Sequence, residues 1–228
     1  SGLTLVFGVM GLINLAHGSF YMVGAYATAA VTASTGSFLI GLGAGMAAAA
    51  MVGALVELLV IRRLYHRPHL DQVLATFALI LIFSEGTRWI FGSSPMRLSP
   101  PSWLTGFVTL PGDTRYPIYR LMLIGVGIVI SIALYFLISK TRLGMRIRAG
   151  ESDREMIGAL GVNISKLYTV VFALGAGLAG LAGALVGALQ SVQVGMGEPV
   201  LILAFVVIVI GGIGSIKGAL LGALLVGV

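Results

Sequence analysis

From Ser1 to Val56 the chain contains no Lys, Arg, Asp or Glu. A single helix over Gly2 to Ser34 would be about 50 Å long at 1.5 Å per residue, whereas the hydrocarbon core of a bilayer is about 30 Å thick. The stretch is therefore expected to break, and the polar cluster "NLAHGS" (Asn14 to Ser19) marks the place. Asn14 and Ser19 can hydrogen-bond backbone groups freed at a helix break, Gly18 is expected to permit the turn, and His17 offers a donor and an acceptor. Two readings stay open. These groups cap two half-helices, or they line a solute path, because irregular backbone at membrane depth is tolerated where it borders a cavity.

Further charge-free runs cover Leu121 to Ser139, Leu167 to Gly197, Pro199 to Ile216 and Gly218 to Val228. With 58% hydrophobic and 10% charged residues and a mean hydropathy of +1.05, the chain lies far from a soluble domain, which carries about 25% charged residues. The expected fold class is all-α: a polytopic transmembrane bundle with broken helices, forming a single membrane domain over residues 1–228. The runs do not alternate polar and apolar residues as barrel strands do. The net charge of +6 reflects basic loops rather than a nucleic-acid partner. The chain has no Cys, which excludes disulfides and thiolate chemistry. His66, His69 and Asp71 lack the further His or Cys of a metal site, so no metal is expected. "GGIGSIKG" lacks the G-K-S/T ending of a phosphate loop, and no nucleophile and base pair for catalysis is apparent. The chain reads as a non-enzyme. Both ends lie inside apolar runs and read as cut.

Charge sets the expected topology. Residues 62–71 carry three Arg against one Asp, and residues 140–166 carry six Lys or Arg against three acids, so both loops read as cytoplasmic. Residues 93–118 hold five of the seven prolines, with Trp89, Trp103, Tyr116 and Tyr119 near the ends, and read as an external loop. Spans are expected over Phe38 to Ile61, Gln72 to Gly92, Tyr119 to Ser139 and Leu167 to Gln190. A turn "SVQVGMGEP", a short run from Val200 to Ile210 and a second turn "GGIGSIKG" follow. Gly175, Ala179, Gly183 and Gly187 form a small-residue stripe for close helix packing within the subunit or at a dimer seam. Glu57 is expected to pair loosely with the Arg62 and Arg63 region. Glu85, deeper in its apolar segment, keeps a proton-relay reading open.

"GESDREMIGALGVN" encodes a short cytoplasmic helix. Ser152 and Glu155 have the spacing of a capping box, Asp153 suits the first turn, and Gly161 suits the left-handed position after Leu160. Met156, Ile157 and Leu160 form an apolar edge, covered either by the chain's own loops or by another protein.

Four blocks, "GLTLVFGVMGLINLAHGSFYMVGAY", "RRLYHRPHLDQVLATFAL", "TRLGMRIRAGESDREMIGALGVNISKLYTVVFALGAGLAGLAG" and "VIVIGGIGSIKGALLGALLVG", occur in this order. Together they resemble the permease subunits of bacterial branched-chain amino acid ABC transporters. The resemblance implies a helix bundle of which this chain lacks the first helix and the last one or two. It implies that Glu151 to Gly161 docks into a cytoplasmic ATP-binding subunit, which makes Ser152, Glu155, Met156, Ile157, Leu160 and Gly161 the ATPase-coupling residues. It places Asn14, His17, Gly18 and Ser19, and Gly212, Gly214 and Ser215 of the second turn, along the substrate path. Lys217 stands where the family often has Pro. The implied partners are a second permease subunit, two cytoplasmic ATP-binding subunits, an external solute-binding protein and membrane lipid, in the bacterial plasma (inner) membrane. ATP would be used by the partner subunits, with no cofactor on this chain. Alternatives are an ABC permease for a sugar or nucleoside, or an ion-coupled secondary transporter with Glu85 or His17 as the coupling site. The latter would show acids paired across repeated halves, whereas Gly18-Ser19 and Gly214-Ser215 are only a loose echo.

Overall fold

The break in the first charge-free stretch is present in the computed structural model, which describes residues 2–12, 14–65, 67–110, 114–152, 154–212 and 214–227. Helix α1 (Gly2–Met10) stops at Gly11, whose φ of +62° suits only a residue without Cβ, and α2 (His17–Thr35) follows a non-helical link. Gly36 ends α2 at φ +70° with its N–H donating to the Thr32 carbonyl. Ser37 then caps α3 (Phe38–Val56) by accepting the Ile40 N–H at 3.5 Å. One π-helical turn over Glu57–Ile61 and a final turn, α4 (Arg62–Leu64), carry α3 on, giving an unbroken span over Phe38–Leu64.

Helix α5 (His69–Phe91) starts after Pro68 and stops at Gly92. The proline-rich connector contains a short turn over Ser102–Leu104 and a hairpin that the sequence reading did not anticipate, β1 (Phe107–Leu110) antiparallel to β2 (Thr114–Pro117). Helix α6 (Ile118–Lys140) returns, and α7 (Arg142–Ser152) and α8 (Arg154–Ala159) follow. Asn163 caps α9 (Ile164–Gly187) by accepting the Lys166 N–H at 3.0 Å. Two shorter helices, α10 (Gly197–Gly211) and α11 (Ile216–Gly227), complete the order. Among the described residues, Phe38–Leu64, α5, α6 and α9 are long and apolar enough to cross a membrane. The fold is an all-α polytopic membrane bundle. The outward faces of α5 and α6 expose Ile82, Trp89, Ile90, Val129 and Phe136, as suits a lipid solvent.

Helix α9 is the axis. His17 of α2 lies against Gly175, Tyr21 against Gly183 and Ala25 against Gly187, so α2 runs parallel to α9. Ala49 meets Gly180, Gly53 meets Ala176 and Glu57 meets Thr169, so α3 runs antiparallel. Glycine makes these approaches possible: a Cβ on Gly24 would fall on the backbone of Gly180, and Gly41 and Gly45 of α3 receive the side chains of Thr32 and Thr28. Gly175 and Gly183 face Val6 and Tyr21 of the same chain, which places the small-residue stripe in packing within the subunit. The main core gathers Leu5, Phe20, Ala49, Ile61, Ile147 and Phe172. It therefore joins α7 to the same end of the bundle as α4, the Arg-rich end.

The region after α6 differs from expectation. Residues 142–152 form a helix rather than a loop, because Leu143, Ile147 and Gly150 recur at helical spacing and turn inward while Arg142, Arg146 and Arg148 point out. Ser152 is itself helical. Asp153 and the side chains of Ser152 and Glu155 lie outside the described residues, and with them the expected capping box. Gly161 does take the left-handed position, at φ +83°, with Val162 N–H donating to Ile157 O and Gly161 N–H to Gly158 O. That pair of bonds is the Schellman ending.

Candidate functional site

Asn14 is fully buried, and its Oδ1 accepts the Ala16 N–H at 3.0 Å. Its carbonyl accepts the His17 N–H at 3.2 Å, and the Ala16 carbonyl accepts the Ser19 N–H at 2.9 Å. This satisfies the start of α2 and realises the capping role for one side of Asn14. The amide Nδ2 of Asn14 and Nδ1 of His17 are buried with no partner among the described residues. Buried polar groups almost always find a partner, so these two atoms, three residues apart, have room in their hydrogen bonding for a water or a ligand. His17 is further fixed by an edge-on contact with the Phe20 ring, centroids 6.0 Å apart.

Gly18 has a different role from the one expected. The turn is made by Gly11, and Gly18 is already helical. Its missing Cβ admits the Gly197 carbonyl, which would lie 2.6 Å from a Cβ there. Gly197 starts α10, so the first residues of α2 and α10 meet. The chain reaches this meeting from both sides by non-helical backbone, residues 11–12 and 14–16 before α2 and 188–196 before α10. In the second segment Val192 pairs with Met96 of the connector, then Gly195, at φ +81°, directs its N–H to the Met22 sulfur at 3.4 Å. The meeting lies deep in the bundle: Gly175, beside His17, is about 16 Å along α9 from Ile164 at 1.5 Å per residue. Gly18, Ser19, Met22, Ile80, Ser84 and Glu198 line a shallow depression here of about 10 Å³. The sequence reading passed over Glu198. Its signal was an acid between two charge-free runs, Leu167 to Gly197 and Pro199 to Ile216.

The second turn sits elsewhere. Gly212 and Gly214 take φ of +86° and +78°, and Ser215 Oγ accepts the Gly218 N–H at 3.0 Å to cap α11. Gly8 of α1 packs against Gly214, which would lie 2.7 Å from a Cβ at Gly8. Both candidate turns thus border α1, the second along its length and the first beyond its end. Ile213 and the side chain of Lys217 lie outside the described residues, as does His66.

Glu57 is not loosely paired. It is wholly buried at the π-helical turn, where Arg62 donates from Nη2 at 3.2 Å, Thr169 from its hydroxyl at 2.7 Å and Tyr65 from its hydroxyl at 3.1 Å. Arg62 also donates to Thr169 at 2.8 Å. Burial, and after it the Glu57 carboxylate, pushes the Tyr65 hydroxyl above the usual phenol range. Glu85, by contrast, stands exposed on α5 in an ion pair with Arg88 at 2.8 Å, and does not face the bundle interior.

The apolar edge of the short helix divides in two. Met156 and Leu160 are exposed, at 61% and 76%, whereas Ile157 is only 7% exposed and packs into its own chain. At the connector end a larger cleft of about 610 Å³ opens between the α2–α3 turn and the connector, with Thr32, Ser37, Arg97, Ser99 and Trp103 in its wall.

The family described as branched-chain amino acid transport system / permease component matches residues 1–228. The chain is 33% identical over 243 residues to the high-affinity branched-chain amino acid transport system permease protein BraD of Pseudomonas aeruginosa, covering 100% of this chain and 78% of that protein. It is 30% identical over 241 residues to the corresponding permease LivH of Escherichia coli K12, with the same coverage of 100% and 78%. The ribose import permease protein RbsC of Escherichia coli K12 is 27% identical over 237 residues, covering 99% of this chain and 70% of that protein. No solved structure matches the chain.

Proposed function

This chain belongs to the branched-chain amino acid transport permease family, and we propose that it forms half of the path of an ATP-driven importer of branched-chain amino acids. The assembly in this reading contains a second permease subunit, two cytoplasmic ATP-binding subunits and an external solute-binding protein, in the bacterial plasma membrane. ATP is bound and hydrolysed by the partner subunits, and this chain carries no cofactor. The Arg-rich end is cytoplasmic, and the connector is external, its Arg97 cleft receiving the solute-binding protein.

The observation that carries the path reading is the meeting of two interrupted segments at membrane depth, with Asn14 Nδ2 and His17 Nδ1 left for a ligand or its water. A branched aliphatic side chain needs no charge in the path, while the solute's polar ends need donors and acceptors at the broken helices. Coupling runs through α7 and α8. Met156 and Leu160 face an ATP-binding subunit, Ile157 fastens the helix to its own bundle, and α9 carries displacement to Thr169 and Glu57. Displacement of α9 together with α3 and α2 then alternates access to the site.

The test is leucine uptake into vesicles reconstituted with the permease pair, ATP-binding subunits and binding protein. Uptake should require internal ATP and be unaffected by excess ribose. Uptake driven by a proton gradient without ATP would sink the importer reading. Competition by ribose would transfer the chain to sugar transport, a class represented by its 27%-identical relative.

A further inference from the structure

We propose that Glu198 receives the α-ammonium group of the solute, an inference that rests on the amino-acid reading above. Among the described residues the ion pairs are Glu57–Arg62 and Glu85–Arg88. Glu198 is in neither, and its neighbours in the depression, Gly18, Ser19, Met22, Ile80, Ser84 and Gly195, supply no cation. Yet it begins α10 against Gly18, at the depth of the α2 break rather than at a membrane surface. A carboxylate so placed is costly against lipid and therefore faces a water-filled path or a cationic partner. The start of a helix favours an acid, but that effect is smaller than the cost of leaving the charge in hydrocarbon.

Glu198 is exposed on this chain, so the missing cation comes from outside it. The surrounding wall suits one end of an aliphatic amino acid. Ser19 and Ser84 share the depression with the acid as polar lining, and Met22 and Ile80 complete it as apolar lining. A sugar or nucleoside carries no such cation, which makes Glu198 a specificity residue for amino acids.

The chain has no Cys, so a single thiol can report on this position in the assembled importer. Glu198→Cys should react with a membrane-impermeant cationic thiol reagent, and leucine supplied on its binding protein should slow the reaction. Ser84→Cys is a second probe of the same wall should the first variant assemble poorly. Glu198→Gln should lower leucine uptake per assembled complex about tenfold or more, the equivalent of one charge-assisted hydrogen bond. Thiols at both positions that never react would place this wall against lipid or protein and overturn the proposal. So would wild-type uptake by Glu198→Gln. Wild-type vesicles that take up ribose and not leucine would instead overturn the amino-acid reading on which the proposal rests.

Discussion

Glu57 shows how much a single buried acid can organise. Its carboxylate ties the end of the long α3 span to Arg62 and Tyr65 on the following turns and to Thr169 on α9. Glu57→Gln would leave Arg62 without its counter-charge. Arg62 keeps 36% of its side chain exposed, so the expected loss is about 2 to 3 kcal/mol, below the figure for a fully buried pair, and is read as a lower melting temperature of the purified complex. The Tyr65 hydroxyl, raised above its ordinary value, holds its proton more tightly in the folded state. Its contribution is fully present below the ordinary phenol value of about 10 and declines as pH rises beyond it. Tyr65→Phe should remove that alkaline slope in a melting-temperature profile. Asn14 separates the two roles of the first break. Asn14→Leu loses the cap to Ala16, with a cost of about 1 to 3 kcal/mol, and also the free Nδ2. Uptake per folded complex should fall if Nδ2 serves the path, whereas unchanged uptake per complex with poorer yield would confine Asn14 to capping. Asn14 was legible because a polar group in a charge-free run announces itself. The pairing of Glu57 with Arg62 was legible too, but the burial of that carboxylate and the depth of Glu198 were not, since they come from α9 and α2, remote in sequence.

At the scale of elements, the long spans followed from apolar length alone, which the bilayer fixes. The start of α7 did not, because Arg142, Arg146 and Arg148 gave its outer face the composition of a loop and obscured the inward Leu143 and Ile147. The connector hairpin was hidden too. Its strands are four residues each, too short to carry a clear alternating pattern. The helix edge from Met156 to Leu160 has a buried and an exposed part that substitutions separate. Ile157→Asp would place a charge among the chain's own residues and is expected to destabilise the permease itself. Met156→Asp and Leu160→Asp alter exposed side chains and should leave melting of the isolated permease pair within about 0.5 kcal/mol of wild type. If these residues meet an ATP-binding subunit, the same pair of changes should abolish its co-purification and ATP-driven uptake. Retention of both would remove this helix from the coupling role.

The whole molecule is arranged around contacts that only glycine permits, and this bears on how it moves. Gly24 and Gly180 bring α2 and α9 to backbone contact close to the level where α2 begins, while Glu57 and Thr169 bind α3 to α9 nearer the Arg-rich end. A bundle held this way transmits a push on α9 as a rigid displacement of both neighbours, since close-packed interfaces shift rather than compress. That inference requires the α7–α8 end to face the ATP-binding subunits, and the orientation can be tested on the cysteine-free chain. A Cys at the exposed Arg67 should be shielded from an impermeant thiol reagent in intact cells and react after permeabilisation. A Cys at Ser99, in the wall of the connector cleft, should react in intact cells. The positions are matched to elements whose ends are fixed by packing: Ile147 and Ile61 share one core, and Met96 and Val192 are paired at the opposite end. The bundle therefore inverts as a unit or not at all. Labelling of Arg67→Cys in intact cells, with Ser99→Cys protected, would reverse the orientation, place Met156 and Leu160 outside the cell, and leave the ATP-binding subunits with no contact on this helix.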